Sequence, residues 1–355
     1  MGRLTNLDNS TNSLWPNSGK VKETVVNISG NNTLIKGNVY GGGEFGTVET
    51  DATITVSGGT IMRDVYGGGY GSTDITSIGQ LRVPNGSSVT LVDMTPMKLA
   101  GRVNGNTKIN VEGGWIQKSV YGGGEMATVG VIKNDSVAHR SETTEFALSW
   151  PYKMNYEANT GKTEINVTGG RIGITGSDYM GPYAMINGQL TPVQYNDQGT
   201  AIPLTETEID DAKEDNGDVY GGGKGFAAQR YLEAHANNVH DTHITVNYTS
   251  NSATPTNYKD KVNGVYSHDC ITGAVYGGGE NGHVIQNSNI TLTNGLVGHN
   301  IYGGGKGKGT FKTDLWKIGT PTTNPPDSLN VTVYSITAGK VYGNTHVTVN
   351  GANNN

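Results

Sequence analysis

Short segments in which apolar and polar residues alternate recur along the chain. Thr53-Ile54-Thr55-Val56 and Lys108-Ile109-Asn110-Val111 are clear examples. Alternation with a period of two residues predicts a β-strand with one buried face and one solvated face. Eight such segments occur, at residues 25–28, 53–56, 108–111, 164–167, 243–246, 289–292, 330–333 and 346–349.

A turn signal and a short apolar step follow most of these segments. Gly58-Gly59 precedes Thr60-Ile61, and Gly113-Gly114 precedes Trp115-Ile116. Paired glycines mark a place where the chain turns before it runs extended again. The same arrangement follows the segments that end at residues 167 and 292.

A second motif, V-Y-G-G-G or I-Y-G-G-G, follows the turn. The spacing between its tyrosines is 26 residues for the first pair, Tyr40 and Tyr66, and again 26 for the last pair, Tyr276 and Tyr302. The other spacings are longer, which predicts a base unit of this length expanded by insertions. The motif tyrosines are Tyr40, Tyr66, Tyr121, Tyr220, Tyr276 and Tyr302, with a truncated V-Y-G at Tyr342.

These patterns predict an all-β fold, a parallel β-solenoid with long corner insertions. Each unit is too small to bury its own apolar face, so neighbouring units must stack into one core with strands about 4.8 Å apart. Residues 1–21 are interpreted as a lead-in or cap, 22–351 as the solenoid and 352–355 as a tail. Segments 206–215 and 226–237 are predicted to form two short helices. The predicted insertions span 70–106, 125–162, 173–217, 225–241, 248–272 and 306–328.

Composition and charge argue against several classes of protein. The 54 glycines and the 34% share of apolar residues disfavour conventional globular cores, and the net charge of −6 disfavours a nucleic-acid partner. No apolar stretch is long enough to span a membrane. Met1-Gly2-Arg3-Leu4-Thr5 lacks the apolar region of an export signal, so we expect any such signal to lie outside this sequence.

The repeat resembles the Gly-rich repeats of bacterial surface proteins with right-handed parallel β-helix folds. This group includes pectate-lyase-like proteins, adhesins and autotransporter passengers. The resemblance covers roughly residues 22–351 and rests on the T-x-I-x-V, G-G and V-Y-G-G-G order. It implies secretion, an elongated shape and contact with glycans. It transfers no catalytic residue, because the calcium-binding carboxylates and the arginine base of the lyases have no matching positions.

The motif tyrosines are the first candidate binding residues. If the preceding Val or Ile points inward, each ring points outward beside glycines, and exposed rings can stack on the apolar faces of sugars. The alternative is that the rings pack beneath the corner insertions. The candidates are Tyr40, Tyr66, Tyr121, Tyr220, Tyr276 and Tyr302.

Aromatic residues in the long insertions are the second set of candidates. Rings on loops commonly contact glycans or proteins, although they also serve to anchor long loops to a core. Trp150, Tyr152, Tyr179 and Tyr183 are the members of this set.

No cofactor, metal site or catalytic residue is predicted. The glycines superficially match the calcium-binding G-G-x-G-x-D repeat, but Lys224 and Lys306 stand where a ligand row would need acidic residues. His240 and His243 are three apart on a predicted strand and therefore point to opposite faces. His268-Asp269-Cys270 lacks a source for an oxyanion hole.

The leading hypothesis is a non-enzymatic extracellular or cell-surface module, an adhesin or stalk segment. It would present its loops and a Tyr-Gly face to a glycan or to a cell-surface protein, as a monomer or a fibre-like homotrimer. Two alternatives remain open. One is a glycan-cleaving β-helix enzyme, a lyase or hydrolase with carboxylates paired in a groove. The other is a phage or secretion-system fibre segment.

Overall fold

The structure is a computed structural model in which the secondary-structure elements are all β-strands, numbered β1 to β26 in chain order. No helix in the described part of the chain has the length and apolar character needed to cross a membrane. The structure describes residues 19–71, 100–134, 155–174, 183–195, 199–205, 208, 217–225, 237–249, 261–262, 265–266, 270–307, 310–315, 329–334 and 338–350.

The alternating segments form one long parallel sheet in which each main strand pairs with the next one along the chain. Two short strands also belong to it, β2 (Leu34–Ile35) beside β4 and β19 (Cys270–Ile271) beside β10. The main strands, in order, are β1 (Thr24–Ile28), β4 (Ala52–Ile61), β6 (Thr107–Ile116), β10 (Lys162–Ile172), β16 (Asp241–Asn247), β22 (Ser288–Asn294) and β26 (Thr345–Val349).

The V-Y-G-G-G motifs form a second parallel sheet with the same segment order. Val pairs with Val and Tyr with Tyr along it, and Ile301 takes the place of Val in the last strand. Its strands are β3 (Val39–Tyr40), β5 (Val65–Tyr66), β7 (Val120–Tyr121), β14 (Val219–Tyr220), β20 (Val275–Tyr276) and β23 (Ile301–Tyr302).

A third parallel row runs through single valines that follow each glycine motif. Its only regular strands among the described residues are β15 (Asn238–Val239) and β21 (His283–Val284). Part of the chain assigned to insertions from the sequence, within 70–106, 125–162, 225–241 and 248–272, therefore belongs to the parallel framework. The row follows Val21, Val48, Val103, Val129, Val239, Val284 and Val341.

The core lies between the first two sheets. Inward residues of the alternating strands, such as Ile109 and Ile165, form one buried cluster with the valines of the V-Y-G-G-G motifs. The valines of the third row form a smaller cluster beside it. The Val of each motif thus faces the core, and the adjacent Tyr lies on the opposite side of its strand because side chains alternate.

Two predicted repeat positions are wrong. Val341 joins the valine row, and the Tyr342 ring contacts His283 instead of the other motif tyrosines. Segment 330–333 lies in β25 (Leu329–Tyr334), which pairs antiparallel with β24 (Thr310–Leu315) outside the parallel sheet. Local alternation is the same in a hairpin strand and in a stacked strand, so it does not identify the partner.

The chain segments that leave the parallel framework, called excursions below, carry antiparallel strands. Besides β24 and β25 these are β8 (Ile132–Asn134) with β9 (Asn155–Tyr156), β11 (Tyr183–Ile186) with β12 (Gln189–Tyr195) and β13 (Ala201–Pro203), and β17 (Lys261–Val262) with β18 (Val265–Tyr266).

The excursion that contains β8 and β9 follows Val129, the last residue of its repeat in the valine row. The sequence predicts extra chain after the glycine motif or after the G-G turn, and this is a third location. The predicted helices at 206–215 and 226–237 lie almost wholly outside the described residues. At the start of the first, Thr205 and Glu208 exchange two backbone-to-side-chain hydrogen bonds, the pattern of a helix capping box.

Backbone packs directly on backbone along the second sheet. A Cβ atom added to Gly123, the middle glycine of its motif, would lie 2.7 Å from the Gly223 nitrogen. The equivalent position at the end of the sheet is Gly304, where an added Cβ would meet nothing within 4 Å. The interior glycines are therefore required by the close approach of neighbouring strands.

Hydroxyl groups tie the first sheet to the second. The Thr107 and Thr163 hydroxyls each donate to the carbonyl of the first glycine in the motif of the same repeat, Gly122 and Gly221, at 2.6 Å. Thr242 makes the same bond to Gly277. A buried carbonyl that lost this donor would remain unsatisfied.

Gly123→Ala should lower the free energy of unfolding by roughly 1–3 kcal/mol, the usual effect of overpacking. Gly304→Ala, the matched control, should leave it unchanged within about 0.5 kcal/mol. Chemical denaturation of both variants measures the difference. Equal effects at the two positions would contradict the close-approach explanation.

Thr163→Val keeps the side-chain shape but removes the donor to the Gly221 carbonyl, so we expect a loss of about 1–3 kcal/mol in unfolding free energy. Thr53→Val, on the solvated face of β4, is the control. Denaturation midpoints report both, and a Thr163 variant as stable as the control would show that the hydroxyl contributes nothing.

Candidate functional site

Six of the motif tyrosines form one continuous stack. Their ring centroids lie 4.8–5.1 Å apart and their planes are within 13° of parallel. This spacing is that of hydrogen-bonded β-strands, so in-register pairing of the second sheet places each ring on the next. The stacked rings, called the tyrosine stack below, are those of Tyr40, Tyr66, Tyr121, Tyr220, Tyr276 and Tyr302.

The middle of the tyrosine stack is inaccessible. The exposed fractions of Tyr66, Tyr121 and Tyr220 are 0%, 4% and 1%, and both faces of each ring contact another ring. Stacking of a sugar on these three rings is excluded. Tyr40 and Tyr276 are half-buried, whereas Tyr302 at the end of the stack is 43% exposed.

A row of mostly charged residues covers the phenol edge of the stack. It is formed by the residue after each G-G-G, and its backbone amides bond to the preceding repeat, as in Lys224 N to Gly124 O at 3.1 Å. The row consists of Tyr70, Glu125, Lys224, Glu280 and Lys306, and the exposed Glu44 has the equivalent sequence position in the first motif.

Most of the phenol hydroxyls donate to carboxylates. The Tyr121 hydroxyl bonds to Glu280 at 2.6 Å and the Tyr220 hydroxyl to Asp218 at 2.8 Å. Tyr40 donates to Glu125, which follows the motif two strands away in the second sheet. The Tyr121–Glu280 and Tyr40–Glu125 pairs join residues 159 and 85 positions apart, which no local pattern predicts, whereas Asp218 is only two positions from Tyr220.

Two lysines compensate the carboxylates. Lys224 Nζ lies 3.5 Å from Glu125 and 6.0 Å from the Tyr66 ring centroid, and Lys306 Nζ lies 3.4 Å from the buried Asp218. Burial lowers the pKa of Lys224, but Asp64, Glu125 and Glu280 together outweigh it, so the pKa is raised. The ammonium group remains charged, as a buried charge cluster requires.

The phenols cannot serve as bases near neutral pH. Burial raises the pKa of Tyr121 well above its ordinary value, and the nearby Glu280 and Asp64 raise it further. The pKa of Tyr220 is raised by burial and by Asp218. The phenols of Tyr121 and Tyr220 are therefore neutral hydrogen-bond donors, and the surrounding charges stabilise the stack instead of activating a nucleophile.

The other aromatic candidates from the sequence do not belong to the tyrosine stack as far as the structure describes them. Trp150, Tyr152 and Tyr179 lie outside the described residues, and Tyr183 opens β11. Cys270 is buried and makes no disulfide.

The two histidines singled out from the sequence have separate partners. His240 Nδ1 contacts Asp241 at 2.5 Å, and His243 lies 3.4 Å from the Asn289 amide. Burial lowers the pKa of His243, and Lys162 lowers it further. Within the described ranges, no three His, Cys, Asp or Glu side chains are grouped so that they could hold a metal ion.

The strongest accessible apolar surface lies on the antiparallel sheet of β11, β12 and β13, called the excursion sheet below. Met185 is 67% exposed, Tyr195 50% and Ile202 41%. Met185 pairs with position 190 and Ile202 with position 194 of β12, so the two side chains share one face.

Sequence reasoning missed Met185 and Ile202 because it considered only aromatic residues in the insertions. The signal was present. Asn187 and Gly188 connect β11 and β12 with φ values of 51° and 79°. An Asn-Gly pair between two short extended runs is a strong hairpin signal, because both turn residues need positive φ.

The remaining large exposed apolar side chains lie at the two ends of the parallel framework. Val21, Val25 and Leu34 are at one end, and Tyr302, Val347 and Val349 are at the other. The sides of the framework, as far as the structure describes them, carry none of these. Two kinds of surface, the excursion sheet and the ends, are therefore candidates for contact with other molecules.

Comparison of the chain with protein-family models, with curated proteins and with solved structures found no match.

Above about pH 10, stability should decrease as the pH rises. The unfolded chain loses phenolic protons near the ordinary tyrosine pKa, whereas the folded chain retains those of Tyr66, Tyr121 and Tyr220. Phenolate absorbance from these three should appear only together with loss of the β-sheet circular-dichroism signal. Tyr121→Phe should reduce the slope of stability against pH. Ionisation of all tyrosines before unfolding would contradict the buried stack.

Proposed function

We propose that this chain is a β-solenoid module of an extracellular or cell-surface bacterial protein. In this proposal the module is a stiff support that presents its excursions to a partner. The solenoid is supported by segment order. The chain contributes an alternating strand, a V-Y-G-G-G strand and a valine in turn, and all three parallel rows pair in the same chain order. A right-handed winding agrees with the strong preference of parallel crossovers.

The support would be stiff because the alternating segments pair in register from one repeat to the next, and the register shifts lie beyond them, as after Val56 and Val167. Ile54, Ile109 and Ile165 are direct partners in neighbouring strands, and the tyrosine stack runs parallel to them. Such ladders resist bending because a tilt at one repeat would separate side chains, rings and backbone hydrogen bonds together. Extracellular location rests on the resemblance to surface-protein repeats.

The face of the excursion sheet that carries Met185 and Ile202 is the proposed contact surface, and the exposure of these two side chains is the observation that carries this assignment. The sheet is hydrogen-bonded within itself, so its shape does not depend on a partner. Methionine adapts to irregular apolar surfaces, and an exposed apolar face suits a protein partner or the apolar face of a glycan.

The double variant Met185→Ser/Ile202→Ser should bind at least about tenfold less tightly than the wild type to whichever partner an array of glycans and extracellular-matrix proteins identifies. Val25→Ser/Leu34→Ser, at the end of the framework, is the matched control and should bind as the wild type does. Both variants should melt like the wild type, because all four side chains are exposed.

Wild-type protein that binds nothing on either array would contradict the proposal, as would a control variant that loses binding equally. Cleavage of any arrayed glycan would support an enzyme instead.

A further inference from the structure

We infer that the end of the second sheet, at Ile301–Gly305, is a recognition site for one further extended strand of sequence V-Y-G-G-G or I-Y-G-G-G. The five strand pairs already present in that sheet define how such a strand would bind. The inference concerns the parallel framework and does not depend on the excursion sheet. Four groups at this end already have the positions that an incoming strand needs.

The ring of Tyr302 is the first group. Each interior ring of the tyrosine stack has a neighbouring ring on both faces. Tyr302, at the end of the stack, is stacked on Tyr276 alone and is 43% exposed. The opposite end of the stack differs, because Tyr70 contacts Tyr40 edge-on and Phe45 in turn contacts Tyr70. The open ring face at Tyr302 therefore suits an incoming tyrosine at the 4.8–5.1 Å spacing seen within the stack.

The amides of Gly303 and Gly304 are the second group. Along the sheet, the first two glycine amides of each motif donate to carbonyls of the next motif, as in Gly277 N to Tyr302 O at 2.8 Å and Gly278 N to Gly304 O at 3.0 Å. The Gly303 and Gly304 amides have no such acceptor in the part of the chain that the structure describes. An edge of this kind binds an added strand through its main chain.

The space above Gly304 is the third feature. At Gly278, one strand inward, an added Cβ would lie 2.6 Å from the Gly305 nitrogen, whereas at Gly304 it would meet nothing within 4 Å. The surface that is covered by a glycine backbone at every interior repeat is open here. An incoming strand must itself carry glycine at this level to approach as closely.

Thr345 and Asn300 complete the site. Thr242 and Ser288 each bond to the first glycine carbonyl of the motif in their own repeat, and Thr345 occupies the corresponding position in β26. Its hydroxyl has no partner among the described residues. Asn300 donates to the Tyr302 hydroxyl at 2.8 Å, as Asn38 does to Tyr40, and the Asn38 side-chain oxygen accepts from the amide of the next repeat.

The occupant must be an unpaired strand and not the end of a second folded copy. In the first sheet, β26 already extends one strand beyond β22, and β22 is the strand tied to β23 through Ser288 and Gly303. At the opposite end of the framework, neither sheet extends beyond the other: β1 and β3 belong to the same repeat, as the bond from Thr24 to the Gly41 carbonyl shows. Placing β3 of another copy on β23 would bring its β1 onto the position that β26 occupies.

The test uses the synthetic peptide Asn-Val-Tyr-Gly-Gly-Gly, the sequence of residues 38–43, titrated into the isotope-labelled chain. We expect saturable shifts of the Gly303, Gly304 and Tyr302 amide resonances. Gly304→Val should weaken binding at least about tenfold by filling the open space, and Thr345→Val by about two- to tenfold through loss of one hydrogen bond. A peptide with Ala in place of Tyr should bind about tenfold more weakly.

Absence of shifts at millimolar peptide, equal binding by the Ala peptide, or undiminished binding to Gly304→Val would each overturn the inference. Gly304→Val must melt as the wild type does, which the open space around Gly304 predicts. End-to-end association of the chain in sedimentation experiments, suppressed by Gly304→Val, would favour a second folded copy and also overturn it. The excursion-sheet variant Met185→Ser/Ile202→Ser should bind the peptide normally, which separates this site from the proposed partner surface.

Discussion

In-register pairing of the V-Y-G-G-G strands is the constraint on which the rest of the structure depends. It places glycine backbone against glycine backbone so closely that a methyl group at Gly123 would lie 2.7 Å from the Gly223 nitrogen. The same register puts valines such as Val120 into the core and stacks the rings on the other side of the strand. The positions of the glycines, valines and tyrosines of the motif thus all follow from the spacing between paired strands of the second sheet.

The phenol hydroxyls of the buried tyrosine stack need hydrogen-bond partners, and residues both near and far in the sequence supply them. Each phenol hydroxyl needs an acceptor once water is excluded, and carboxylates such as Glu280 and Asp218 supply it. Those carboxylates in turn need positive charge, which Lys224 and Lys306 provide. The residues after the G-G-G motifs are a mixture of Glu and Lys, which does not suit a row of metal ligands. This alternation of donors, acceptors and charges explains the mixture.

The parallel framework and the excursions are structurally separate in this chain. The repeats tolerate extra chain only where a strand row has just ended, and the described excursions form their own antiparallel hairpins. Met185 and Ile202 can therefore change without disturbing the core, whereas the interior motif glycines cannot. Such a division lets the excursions vary in sequence while the parallel framework stays constant.

Local periodicity in the sequence determined the alternating strands, the motif register and the parallel all-β character, because these depend on spacing within one repeat. The sequence did not determine which residues cover the tyrosine stack, because Tyr121 meets Glu280 only after several repeats have stacked. The V-Y-G at Val341-Tyr342 and segment 330–333 carry the same local signals as true repeat positions, yet Val341 joins the valine row and segment 330–333 forms part of a hairpin. Alternation specifies which side chains share a face, and only the tertiary structure decides which strand lies beside them.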